Sequence, residues 1–271
     1  MVEGEDQVDA VDRSTLRKAG NMKDKQRATE AGKETIADQI YNSIRKDLME
    51  CRWPAGHTLK IRNLAAEFGV SAMPVRLALK RLGSEGALAI EENRSARVPV
   101  ISQRRFSEFY EVTVRLERLA LEKTSQRITP QQLGVLFAQA DAIRQEIDQG
   151  RTAGYAQRFN AMLMELYRIG GSSALIEMIE YAWVHVAPPA NAIFESPAFV
   201  SKIHIHLIEI LEALRRKDHV AAETALAAAL SYAERAMNLL MDMERSSSSL
   251  RGQKHRTRKG SDLAGTIITI A

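Results

Sequence analysis

Apolar residues recur every fourth position at Ile36, Ile40, Ile44 and Leu48, with Tyr41 beside them. That spacing draws one stripe along a helix of 3.6 residues per turn, so an amphipathic helix is predicted over 34–52. The tetrapeptide WPAG at 53–56 ends it. A short second helix, about 61–68, turns Leu64 and Ala65 inward and stops at Gly69, which reaches the left-handed backbone that a helix C-terminus often needs. Ser71 then stands where its hydroxyl can accept from an unpaired first-turn amide, starting a third helix over 72–84. Val75, Leu79 and Leu82 form the buried stripe of that helix, while Arg76, Lys80 and Arg81 fall on or beside its outer face. Pro74 is tolerated because it lies in the first turn, where its missing amide costs little. After Gly86 the period shortens to two, and ALAIEENRSARVPV reads as a small β-hairpin around EENRSA.

From Gln103 onward the period is helical. Helices are predicted at about 103–127, 130–149, 153–169, 172–186, 198–216 and 218–243, broken by Gly150, by Gly170 with Gly171, and by PPANAIFESP. Thr129 before Pro130 is an N-cap followed by a favoured first-turn proline. The chain is therefore predicted to be mainly α. A winged helix-turn-helix with a small β-hairpin wing is expected at 34–102 and an all-helical bundle at 103–244, between disordered tails at 1–33 and 245–271.

Composition narrows this picture. The 271 residues, 45% of them hydrophobic, suffice for two cores. Cys51 is the only cysteine, which removes a disulfide framework and a cysteine-based metal site and fits a reducing cytoplasm. The polar N-terminus lacks the apolar stretch of a secretory signal and no run is long enough to span a membrane, so a soluble cytoplasmic protein is expected. A pI near 9.2 points only weakly to a polyanionic partner. Its distribution says more: residues 60–105 hold nine Lys and Arg against four Asp and Glu, whereas 110–242 hold thirteen against sixteen. The cluster LRGQKHRTRKG near the C-terminus has no periodicity and reads as part of a solvated tail. No nucleophile paired with a base, no metal-ligand set and no phosphate-cradling loop is present; the six histidines are scattered and GRTAGYA lacks phosphate-loop spacing. An enzyme is not expected.

Several spaced motifs then match together: PAG at 54–56, Leu59, LA at 64–65, GVS at 69–71, PVR at 74–76, AL at 78–79, Leu82 and EG at 85–86. With them, the segment 36–101 resembles the winged-helix domain of the GntR family of bacterial transcription regulators. The segments YEVTVRLERLALE, RFNAML and EALRRKDHVAAETAL resemble the effector domain of that family's fatty-acid-regulator-like branch, called FCD. The resemblance implies a homodimer on a palindromic double-stranded DNA operator, acting as a repressor under control of a metabolite bound in the helical domain. Arg62 and Arg76 match arginines that contact phosphate or bases in relatives, and Ser71 matches a hydroxyl residue at the helix start. The usual pattern has arginine at Ala72 and glutamate at Leu77, and both are lost here. Ala72 and Met73 instead offer apolar contact to thymine methyls, so the operator is expected to carry more A·T character where this helix begins. Lys80 extends the basic face. In the wing, Asn93 can accept a positive φ at the tip, Arg94 is positioned for a narrow minor groove, and Arg97 lies nearby.

Many FCD domains bind a divalent metal through an Asp and a His one turn apart and two later histidines. The matching positions here are Ala156, Asn160, Leu207 and Ala229, so no metal cofactor is expected. His206 is one residue off that register. The effector-domain arginine that meets a ligand carboxylate is replaced by Thr113, with Arg115 nearby, while Glu117 keeps the family glutamate. Candidate effector-binding residues are Thr113, Arg115, Phe159, Asn160, Tyr181 and His206. Met162, Met164, Met178 and Trp183 complete a Met and aromatic stripe that fits either a core or a ligand box. The effector expected is an organic acid or an acyl thioester. A ligand-independent architectural DNA-binding protein and a metal-dependent variant of the same family stay open as alternatives.

Overall fold

The computed structural model describes residues 35–91, 95–151 and 154–253. The first element is helix α1, Ile36–Met49, opened by a reciprocal cap in which the Thr35 hydroxyl accepts from the Asp38 amide and the Asp38 carboxylate accepts from the Thr35 amide. Strand β1, Thr58–Lys60, leads directly into α2, Ile61–Glu67, and a turn at Gly69, with φ of +65°, leads to α3, Ala72–Ser84. Strands β2, Ala89–Glu91, and β3, Ser95–Arg97, form the wing. The sheet is antiparallel in the order β1-β3-β2, with Leu59 opposite Ala96 and Ile90 opposite Ala96 on the other side. The hairpin follows the expectation, whereas β1 does not. Three residues, TLK, are too few to display alternation, and only pairing with β3 makes them a strand. The wing tip, with Asn93 and Arg94, lies outside the described residues, as do 1–34 and 254–271.

Two local expectations are corrected. Ser71 occupies the N-cap position of α3 with extended backbone, but its hydroxyl makes no capping hydrogen bond. The third helical residue is Pro74, so one of the amides a capping hydroxyl reaches for does not exist. Helix α1 ends at Met49, short of Arg52. Its carbonyls are closed by the Cys51 amide donating to Leu48 and the Arg52 amide donating to Asp47, with Cys51 at φ of +59°. This is the left-handed helix stop usually made by glycine, here built on a cysteine.

The helical domain comprises α4, Gln103–Ser125; α5, Pro130–Asp148; α6, Tyr155–Ile169; α7, Ser173–Ala190; a 3₁₀ turn, Asn191–Glu195; α8, Pro197–Arg215; and α9, His219–Gln253. Helix α4 lies along α6, α7 and α9, while α8 packs on α5 and α9. The Thr129 cap forms as expected, with Gln132 reciprocating. PPANAIFESP does not break the chain where expected, because α7 runs through Pro188 and Pro189. The prolines remove the donors for the carbonyls of Val184 and His185, but residues 182–189 are all buried and packing holds the helical path. Helix α9 likewise continues past residue 243 into the segment predicted as tail. The serines at 246–249 carry no breaker, and the first glycine is Gly252.

One apolar cluster runs from Ile40 in α1 to Met241 in α9, so the two domains share a core. The junction between them is formed chiefly by α1 against α7.

Candidate functional site

The reading face is built on α3. Its stripe of Val75, Ala78, Leu79 and Leu82 is buried against α1, and each fully buried aliphatic side chain contributes at most about 1.5–3 kcal/mol. That anchoring leaves the opposite face free to vary. Ser71, Ala72, Met73, Arg76, Leu77 and Lys80 are all exposed, and Arg62 is exposed on α2. Met73 and Leu77, 63% and 51% exposed, stand one turn apart and make an apolar strip with Arg76 and Lys80 beside it. Leu77 belongs to this face through the same spacing, at the position where the family pattern implies a glutamate. Arg81 is exposed beside that face, with its guanidinium 3.8 Å above the Tyr41 ring and paired with Asp38. Arg97 serves the sheet, pairing with Glu91 at 2.6 Å and donating to the Gly56 carbonyl.

Inside the helical domain lies a cavity of about 100 Å³. Helix α4 supplies Tyr110, Thr113 and Glu117; α6 supplies Phe159, Asn160 and Leu163. Trp183 and Ala187 of α7, Phe194 of the 3₁₀ turn, Leu207 of α8 and Ala229 of α9 close much of the remainder. The matched metal-ligand positions Asn160, Leu207 and Ala229 therefore wall this cavity, and Ala156 packs with Cys51 and Ala187. Three of these four side chains are hydrocarbon and the fourth is a neutral amide, so they do not fit a divalent metal. No three of His, Cys, Asp and Glu come together elsewhere among the described residues.

Of the candidate effector residues, Thr113, Phe159 and Asn160 reach the cavity and three do not. Arg115 is 69% exposed at its side chain and pairs with Glu111 at 3.0 Å. It lies two residues from Thr113 and from Glu117, about 200° around the helix, so inward neighbours turn it outward. Tyr181 stands in the same relation to Trp183 and packs outside, near Phe109 and His185. His206 is buried but bonds Glu209 at 2.8 Å and faces the Tyr232 ring, while its neighbour Leu207 takes the cavity position. Met162 and Met164 belong to the core, and Met178 is exposed.

Glu117 is the charged chemistry of the cavity. Its carboxylate accepts from the Trp183 indole N–H at 2.6 Å and the Tyr167 hydroxyl at 2.9 Å. Burial pushes its carboxyl up to about 7, with those two donors opposing the shift. Cys51 also lines the cavity, and this contribution was not legible in the sequence because it comes from the other domain. Its thiol donates to the Ala187 carbonyl at 3.1 Å, and burial pushes it up to about 12, so it remains a protonated structural group. Asn160 completes the joint, donating to the Met49 carbonyl at 2.9 Å and to the Cys51 sulfur at 3.5 Å. Around this joint, Arg45 pairs with Glu180 at 3.0 Å and Gln157 donates to Glu50.

A three-helix reading head with a hairpin wing, joined through its first helix to a hollow helical domain, defines a two-part bacterial transcription regulator. The chain belongs to the GntR family: the model described as bacterial regulatory proteins, gntR family, matches residues 36–98 and the FCD domain model matches 108–232. Among its relatives, the HTH-type transcriptional regulator McbR of Escherichia coli (strain K12) is 29% identical over 194 residues, covering 70% of this chain and 86% of McbR. The HTH-type transcriptional repressor RspR of the same strain is 23% identical over 204 residues, 71% of this chain and 85% of RspR. The solved structure of E. coli McbR/YncC superposes with a TM-score of 0.70 at 26% identity, covering 76% of this chain and 98% of that one. No helix among the described residues is long and apolar enough to cross a membrane.

Proposed function

We propose that this regulator is a sequence-specific operator-binding repressor. It works as a homodimer in the cytoplasm, and its DNA affinity is set by a small molecule held in the helical-domain cavity. Kinship with the repressor RspR supports the direction of control. The exposed basic residues Arg62, Arg76 and Lys80 supply attraction to phosphate and base edges, while Ala72, Met73 and Leu77 offer apolar contact to thymine methyls.

The observation that carries the control is Cys51. It is the residue that stops α1 of the DNA-binding domain, it holds a left-handed backbone that a side chain rarely adopts, and its side chain is part of the cavity wall. The strained conformation is held by packing with Asn160 and Ala187 of the helical domain. A ligand that moves either partner bears directly on the end of α1, and through α1 on the packing of α3. No relay across many residues is needed.

The test is to select operator DNA from random sequence and measure its release across a metabolite panel, for the parent chain and for Asn160→Ala. A ligand should lower the parent's operator affinity at least about 5-fold, the lower end of typical coupling, and affect Asn160→Ala less. A panel in which ligands bind the chain yet leave operator affinity unchanged refutes the control.

A further inference from the structure

The polar atoms of the cavity wall have an asymmetry. Every side-chain donor that lines it is already engaged within the protein: Cys51 donates to Ala187, Tyr110 to the Leu230 carbonyl at 2.6 Å, Thr113 to the Phe109 carbonyl at 2.9 Å, and Trp183 to Glu117. Asn160 uses its amide nitrogen on Met49 and Cys51. No Lys, Arg or His is among the lining residues. What the wall retains is acceptor capacity, chiefly on Glu117, whose two oxygens each receive one donor although each has room for two. The rest of the wall is hydrocarbon and aromatic.

From this geometry we infer that the cavity takes a small, mainly apolar molecule carrying a hydrogen-bond donor, an amine or a hydroxyl, that is received by Glu117. The inference rests on reading the cavity as the effector site and replaces the expectation of an organic acid or acyl thioester. With Glu117 ionised, above about pH 7, a ligand carboxylate would meet a carboxylate, find no cation and find no uncommitted donor, so it would lose its hydration without compensation. Size points the same way. About 100 Å³ is of the order of the roughly 150 Å³ apolar cavity that accepts benzene, and far below what a coenzyme thioester fills. A single ring with a short donor arm matches both the volume and the chemistry. Specificity follows from the same asymmetry: a donor satisfies the wall, whereas an acceptor of equal shape leaves its own lone pairs and those of Glu117 facing each other.

The test uses the full chain and three probes that share one ring and differ in the head group: benzylamine, benzyl alcohol and benzoate. Binding is measured by calorimetry at millimolar concentrations. The amine or the alcohol should bind at least about 10-fold more tightly than benzoate, the discrimination expected for one satisfied against one unsatisfied buried polar contact. The two arms separate a cationic from a neutral donor. Glu117→Gln, which turns one acceptor oxygen into a donor, should weaken the favoured probe about 10-fold and narrow its lead over benzoate. Ala229→Leu, which fills the cavity from α9, should abolish binding and so locate it. Benzoate binding as tightly as the others, binding by none of the three, or an equal effect of Glu117→Gln on all three overturns the inference. Operator affinity measured on the same samples keeps the two claims apart: donor probes that bind without altering DNA affinity refute control from the cavity, while a carboxylate that releases DNA upholds control and refutes the donor rule.

Discussion

On the recognition helix, Ala72, Met73 and Leu77 stand at the surface, where the GntR pattern has arginine at the first and glutamate at the last. In the helical domain, Asn160, Leu207 and Ala229 face inward around a cavity at positions where many FCD domains carry metal ligands. Both regions have exchanged charge for apolar or neutral chemistry, but in different surroundings. At the surface of α3 the exchange costs the fold little, because Val75, Leu79 and Leu82 anchor the helix whatever its outer face carries. In the cavity it changes the packing, the supply of donors and the wall that Cys51 completes. On the proposed function, the first departure bears on which DNA is read and the second on which molecule is sensed.

The contrast is sharpest in stability. Replacing Glu117 by Leu strands the Trp183 N–H and the Tyr167 hydroxyl in a dry interior, and should lower unfolding free energy by roughly 2–5 kcal/mol in a denaturant titration. Met73→Ala or Leu77→Ala should stay within about 0.5 kcal/mol of the parent. A large loss from the surface substitutions, or none from Glu117→Leu, breaks the comparison.

Proton linkage is the next effect in size. The Glu117 carboxyl is raised by burial to about 7 from an ordinary value of 4.5, so the folded chain holds its proton more tightly than the unfolded chain does. The stability this adds is fully present below pH 4.5 and is lost as the pH rises through about 7. The loss across that window is on the order of 3 kcal/mol. Tyr167, Trp183 and Tyr110 face the same group and stay neutral throughout, since burial also raises both tyrosines. Thermal unfolding from pH 4.5 to 7.5 should show this decline, and Glu117→Gln should flatten it.

On the DNA side, Arg76→Ala should weaken operator binding about 10- to 100-fold, the 1–3 kcal/mol of a base-reading arginine. Affinity measured against selected DNA at fixed salt checks that loss. The smallest effect belongs to the junction. Arg45→Ala removes one partly buried ion pair while Arg168 still meets Glu180 at 2.8 Å, so the loss should be about 1 kcal/mol or less. A coupling role predicts that ligand response falls in this variant more than stability does.

Much of the fold was written in short-range pattern. The stripe of α3 and the hydrophobic repeat of α1 define helices without any tertiary information, and the Thr129–Pro130 pair marks the start of α5. Features that depend on distant pairing were not legible. Strand β1 exists only through β3, and α7 survives two prolines only because its last turns are buried. The site divides in the same way. Of the candidates, Thr113, Phe159 and Asn160 line the cavity, but a two-residue displacement on a helix reverses a side chain, which is why Arg115 and Tyr181 face outward. His206 fails by a single position. Cys51 had no local signal at all, since its place in the wall arises from docking one domain on the other.

Control of the DNA-binding domain from the cavity is tested most directly by filling the cavity without a ligand. Operator affinity of Ala229→Leu should differ from the parent by about 10-fold or more, within the range of ordinary allosteric coupling, with circular dichroism and melting showing an intact fold. Equal operator affinity in a folded Ala229→Leu chain would contradict it.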